Sequence, residues 1–212
     1  MGHKVAVYEK EAYLGERVRE WTILIHWALP AFQKLLPDHI VADLHTAYGD
    51  PFYKYDQENE RLPYYNGDTG EIAFTIPAAG VRRVSRTRLR GLCTRGLDVR
   101  WSKQFKELHM DEAGGPVVVC FQDGDTAEVD LVIGADGSSS AVRRWLVGDE
   151  AGRAKPSEMA ICNGVVNYKD AEKAKFLRAA GPICMIALGS TGSALFAGRI
   201  SPLSGHLLRW ES

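Results

Sequence analysis

The sequence predicts an α/β fold, in which a parallel strand and a β-meander are combined with further strands and helices. Three observations predict it. Residues 4–9, KVAVYE, are a short β-branched run ending on an acid, the pattern of a buried parallel strand reaching its C-terminal edge. Residues 99–133 contain three strand patterns separated by the turn signals DEAGG at 111–115 and DG at 123–124, which reads as a meander. The last of these runs breaks at Gly134 and is followed by serines and a helical pattern through Arg143 and Trp145.

Taken in order, the chain starts at the strand 4–9. Residues 22–36, TILIHWALPAFQKLL, carry apolar residues at helical spacing, with Pro30 suited to the first turn of a new helix. The whole stretch is therefore expected to be helical and partly buried. Tyr53, Tyr55, Tyr64 and Tyr65 lead into NGDTG at 66–70 and the alternation EIAF, a β-hairpin whose tyrosines serve sheet packing. A basic amphipathic helix follows, capped by Ser85 and ending near Gly96. Strands are then expected at 99–108, 117–122 and 128–133. In the C-terminal third, strand-like runs at 160–168, 183–188, 194–200 and 206–210 alternate with one helix from Asp170 to about Ala180, closed by Gly181.

The bulk properties narrow the partners. With 45% hydrophobic and 25% charged residues among 212, the chain reads as a soluble globular protein. Lys plus Arg number 26 against 27 for Asp plus Glu, so no net field draws it to nucleic acid or an anionic membrane. A small-molecule partner follows as the default. Its apolar runs fall short of the about 20 residues that cross a bilayer, so no membrane anchor is expected. Cys93, Cys120, Cys162 and Cys184 form no CxxC pair, which points to reduced thiols in a cytoplasmic compartment. His39 and His45 flank Asp43 without HxxxH or HxH spacing, and no metal site is read there. His26 among apolar neighbours reads as structural.

The segment LVIGADG at 131–137 carries the strongest chemical signal. A strand, turn and helix in succession place backbone N–H groups and a positive dipole end at the strand's edge, a setting that suits a pyrophosphate. Gly137 allows close approach of a ligand, and Asp136 can hold ribose hydroxyls or water near the phosphates. The alternative for a bare GxDG is a turn in which Asp136 caps the helix. Here the full stretch 130–143, DLVIGADGSSSAVR, resembles the DG motif of the class A FAD-dependent monooxygenases, the group containing salicylate-hydroxylase-like enzymes. TILIHWALP at 22–30 and LPYYNG at 62–67 are similar to segments of that family's fungal-type branch.

The resemblance implies a partial FAD-binding, Rossmann-like parallel sheet over residues 1–50 and 80–155, interleaved with a mixed-sheet substrate domain over 51–79 and 156–212. It implies that Glu9, ending VYE, receives the hydroxyls of the adenosine ribose, and that Asp136 and Gly137 lie along the nucleotide. Arg19 stands where the family often has a flavin-contacting arginine, the alternative being a surface ion pair. Arg86 fits an Arg-x-x-Leu pattern at a helix start along the cofactor, with Arg88 the competing assignment. The implied activity is NAD(P)H-linked hydroxylation of an aromatic or related small substrate through a flavin hydroperoxide, with FAD as cofactor and no catalytic side chain named.

Two family elements fall outside the chain. The N-terminal G-x-G-x-x-G turn lies upstream of its first residue, and the C-terminal Gly-Asp motif would follow Trp210. An isolated chain is therefore expected to fold poorly or bind FAD weakly. Two alternatives stay open: an inactive remnant of such an enzyme, and a flavin-dependent reductase or dehydrogenase.

Overall fold

A computed structural model describes residues 2–17, 21–56, 58–110, 114–164, 166 and 168–198. In chain order the first elements are β1 (Ala6–Tyr8), β2 (Thr22–Ile25), α1 (Ala28–Leu35), α2 (Asp38–Asp43), β3 (Arg61–Asn66), β4 (Ile72–Pro77), β5 (Arg82–Ser85) and α3 (Arg86–Cys93). Then come β6 (Asp98–Arg100), β7 (Phe105–His109), β8 (Val117–Phe121), β9 (Thr126–Val129), α4 (Ala141–Val147), α5 (Asp149–Gly152), α6 (Ala171–Ala180), β10 (Met185–Leu188) and β11 (Ala194–Ala197). This is an α/β chain with parallel and mixed sheets. It divides into two compact units, Met1–Val18 with Gly96–Gly164, and Arg19–Arg95 with Val165–Ser212.

In the first unit β1 pairs in parallel with β6, Val7 opposite Val99. The run 4–9 thus supplies a parallel strand, but over Ala6–Tyr8 alone and not the buried one its pattern predicts, since Val5 and Val7 are 63% and 38% exposed. β7, β8 and β9 form the antiparallel meander. Leu108, Val119 and Phe121 make its core, with Tyr8, Val117 and Val132 packed against them, and Tyr8 stacks on Phe121 at 4.7 Å between ring centroids.

In the second unit β3 and β4 form the hairpin around residues 66–70. The Asn66 side-chain oxygen accepts from the N–H groups of Asp68 (2.8 Å) and Thr69 (3.1 Å), which closes the turn. β10 joins β3 in parallel and β11 antiparallel, completing a mixed sheet in the order β11-β10-β3-β4. Tyr53, Tyr55 and Tyr64 pack on the core of Leu62, Ala78, Val81, Ile183, Cys184 and Ile186, a packing role as expected. A second cluster, Leu29, Ile40, Leu44, Ala47 and Leu92, is formed by α1, α2, α3 and the 3-10 turn Leu44–Ala47. The cap at Ser85 matches expectation, its Oγ accepting from Arg88 N at 3.1 Å, and the helix expected from Asp170 is capped by that residue, whose Oδ1 accepts from Glu172 N and Lys173 N at 2.9 and 3.1 Å.

Four local expectations are corrected. Residues 22–25 are a strand, because β-branched Thr22, Ile23 and Ile25 find an antiparallel partner in β5, with Ile23 opposite Val84; the helix starts only at Ala28 and keeps Pro30 in its first turn. The strand expected at 99–108 is two, separated at Ser102, whose φ of 59° breaks an extended run. The strand expected at 128–133 ends at Val129, beyond which no described residue supplies a ladder partner. The described residues of 160–168 lie in no strand. The run 206–210 lies outside the described residues.

Candidate functional site

The turn after the meander is built from its own side chains. Residues 130–136 run without ladder bonds, and Val132 points into the core while Leu131 and Ile133 stay 75% and 80% exposed. The chain then reverses at Gly137, whose φ of 86° lies in the left-handed region where a side chain is strained. Ser140 caps α4, its buried Oγ accepting from Arg143 N at 2.9 Å.

Asp136 folds back over the same helix start. Its Oδ2 accepts from Ala141 N at 2.6 Å and Val142 N at 3.3 Å, and its Oδ1 accepts from the Ser140 hydroxyl. Burial opposes ionisation of this carboxyl, but the bonds from Ser140, Ala141 and Val142 outweigh it and hold Asp136 below the usual carboxylate range. Together Asp136 and Ser140 occupy the first three N–H groups of α4. The helix start is therefore not the open anion site expected from the order of elements, because the turn returns its own anion to the dipole end. The N–H groups of Gly137, Ser138 and Ser139 differ: these residues are exposed, and among the described residues no protein acceptor meets them.

Arg143 braces the turn from below. Its guanidinium donates to the carbonyls of Gly137 (3.4 Å) and Ser138 (2.6 Å) in the turn and to that of Gly152 (2.9 Å) at the end of α5. Ser140 and Arg143 are the positioning residues of the turn, and their signal in the sequence is their spacing, four and seven residues after Asp136.

Glu9 lies in the same compact unit, one residue past β1, half-buried at the strand's C-terminal end. Its backbone continues the pairing, with Glu9 N donating to Arg100 O at 2.9 Å, while its Oε1 accepts from Glu11 N at 3.0 Å. Arg86 belongs to the other unit, exposed in the first turn of α3, its N–H donating to Trp21 O at 3.0 Å. The competing Arg88 is drawn inward, with Nη1 donating to Tyr48 O at 3.0 Å. Arg19 lies outside the described residues. Within one unit, then, the structure contains Glu9, Asp136 and Gly137. No helix among the described residues is long and apolar enough to cross a membrane, and no disulfide joins the four cysteines.

No protein-family model matches the chain. Among curated proteins it is similar to the FAD-dependent monooxygenase phnB of Penicillium herquei, 35% identical over 188 residues, 88% of this chain and 46% of that protein. It is also similar to the FAD-dependent monooxygenase dbaB of Emericella nidulans, 32% identical over 152 residues, 71% of this chain and 38% of that protein. The chain thus spans less than half the length of these relatives. Among solved structures, HpxO of Klebsiella pneumoniae, complexed with FAD and uric acid, shares the fold with a TM-score of 0.59 at 20% identity, over 92% of this chain and 47% of that one.

Proposed function

Because the chain belongs to the class A FAD-dependent monooxygenase family, we propose that it carries part of the FAD site and part of the substrate face of such an enzyme. The observation that supports this most is the turn at Gly137. Its exposed N–H groups meet no protein acceptor among the described residues, while Arg143 takes up the Gly137 and Ser138 carbonyls, a fit for a phosphate oxygen rather than for a cation. In this reading the N–H groups of 137–139 would hold the pyrophosphate, Glu9 would receive the adenosine ribose, and Arg86 and Arg19 would meet the rest of the cofactor. Asp136 shapes the turn from within. FAD supplies the electron transfer and dioxygen chemistry when bound, and the protein orients it and excludes water.

The functional division proposed is a cofactor region, residues 1–50 and 80–155, and a substrate region, 51–79 and 156–212. The co-substrate proposed is NAD(P)H, the substrate an aromatic or related small molecule, and the compartment the cytoplasm, in keeping with four free thiols.

The test is a titration of the 212-residue chain with FAD, read by flavin fluorescence. Weak saturable binding is expected, reduced at least about tenfold by Gly137→Val, since a β-branched side chain cannot keep a positive φ beside a bound phosphate. Absence of saturable binding, or a Gly137→Val chain that binds as well, sinks the reading. With FAD bound, substrate-dependent oxygen consumption marks a hydroxylase, NAD(P)H oxidation without it a reductase, and neither an inactive remnant.

A further inference from the structure

One group of side chains away from the turn has the make-up of a metal-binding set. Glu107, His109 and Cys120 bring a carboxylate oxygen, an imidazole nitrogen and a thiol sulfur within 4.8 Å of one another, the one such group of three found among the described residues. Nothing in the sequence spacing marks it, because only strand pairing brings Cys120 beside the other two. Glu107 and His109 are two apart on β7 and so share a face of the sheet. β8 runs antiparallel to it with Cys120 opposite Glu107 and Val118 opposite His109. Leu108 and Val119, the next residues along each strand, are paired and buried in the core, which leaves the three candidate ligands on the other face.

The distances suit a small cation. Glu107 Oε1 and His109 Nε2 are 3.7 Å apart, the separation of two ligands around a tetrahedral ion bonded at about 2.0–2.3 Å. His109 is exposed, so its ring can turn toward Cys120 without moving the backbone. Lys106 Nζ lies 3.2 Å from the same Glu107 oxygen, but both side chains are about half exposed and such a pair is weak enough for a dication to displace. Thiolate and imidazole donors select against magnesium and calcium, which take oxygen ligands, and favour the zinc class.

We propose that Glu107, His109 and Cys120 form a three-ligand site for a thiophilic divalent cation of the zinc class, which ties β7 to β8 and leaves its remaining coordination to water. Binding would release the thiol proton and stabilise the meander. The experiment is an anaerobic titration of the reduced, full chain with Co²⁺. A thiolate-to-cobalt charge-transfer band saturating at a single equivalent, and bleached by Zn²⁺, is expected. Cys120→Ser should abolish the band and Cys162→Ser, at an exposed thiol elsewhere, should leave it. Losing even an outer hydrogen-bond partner of a ligand costs about 10–100-fold in affinity, so His109→Ala should weaken binding at least about tenfold. No band, a band that survives Cys120→Ser, or one lost in Cys162→Ser overturns the proposal. Should Cys120→Ser unfold by circular dichroism, exposed His109 decides: unchanged cobalt affinity in His109→Ala overturns it equally.

Discussion

Asp136 is the residue on which the turn depends, and it does so as an acceptor. It takes two N–H groups and a hydroxyl, so its carboxylate is worth more to the folded chain ionised than protonated. A carboxyl whose folded pKa lies below its unfolded value stabilises the fold at pH above the unfolded value, about 3.9, and that contribution is lost as pH falls through the folded value. Asp136→Asn should therefore destabilise the chain by about 0.5–2 kcal/mol near neutral pH, the range for loss of a helix-capping acceptor. The gap between wild type and variant should stay level down to about pH 5 and shrink below about pH 4. Urea midpoints of both chains from neutral pH to pH 3 check this; a gap that ignores pH would mean that the charge contributes nothing.

At the scale of elements, the turn is held between an unpaired extended segment and α4, and the two touch at Gly134. A Cβ there would stand 2.8 Å from Cβ and Cγ1 of Val142, on the helix side of the turn. Gly134→Ala should cost about 1–3 kcal/mol by overpacking, and Val142→Ala in the same chain should recover part of it by removing the γ carbons. Thermal unfolding of the two single variants and the double variant gives the answer, strict additivity being the result that removes the contact from the account. The same elements show what a sequence makes legible. Caps at Ser85 and Asp170 are local, each a side chain bonding N–H groups within three residues, and so are the hairpin turn at Asn66 and the glycine reversal at 137. Thr22–Ile25 was not legible as a strand, because a short apolar run suits either periodicity until Arg82–Ser85 pairs with it. Asp136 was legible as part of a motif but not in its orientation. The choice between facing a ligand and facing α4 depends on hydrogen bonds that only the closed turn provides, and the Glu107, His109 and Cys120 set depends on a pairing register in the same way.

At the scale of the whole chain, the feature needing explanation is apolar surface. Val5, Leu131 and Ile133 in one unit are 63%, 75% and 80% exposed, and Leu195 and Phe196 in the other are 58% and 66% exposed. Scattered apolar residues on a surface are ordinary, but runs on unpaired backbone are not, since they offer both greasy side chains and open N–H and C=O groups. Leu131 and Ile133 sit on such a run, because β9 ends at Val129 and no described residue pairs with 130–136. The chain should therefore bind an apolar reporter dye in its native state and self-associate with rising concentration. Leu131→Lys with Ile133→Lys should lower both the dye fluorescence and the association seen by sedimentation. Because the two side chains already face water, unfolding stability should move by no more than about 0.5 kcal/mol for each. A double variant that binds dye as strongly as wild type would place the sticky surface elsewhere. One that loses several kcal/mol would show instead that Leu131 and Ile133 are buried against some other part of the chain in solution.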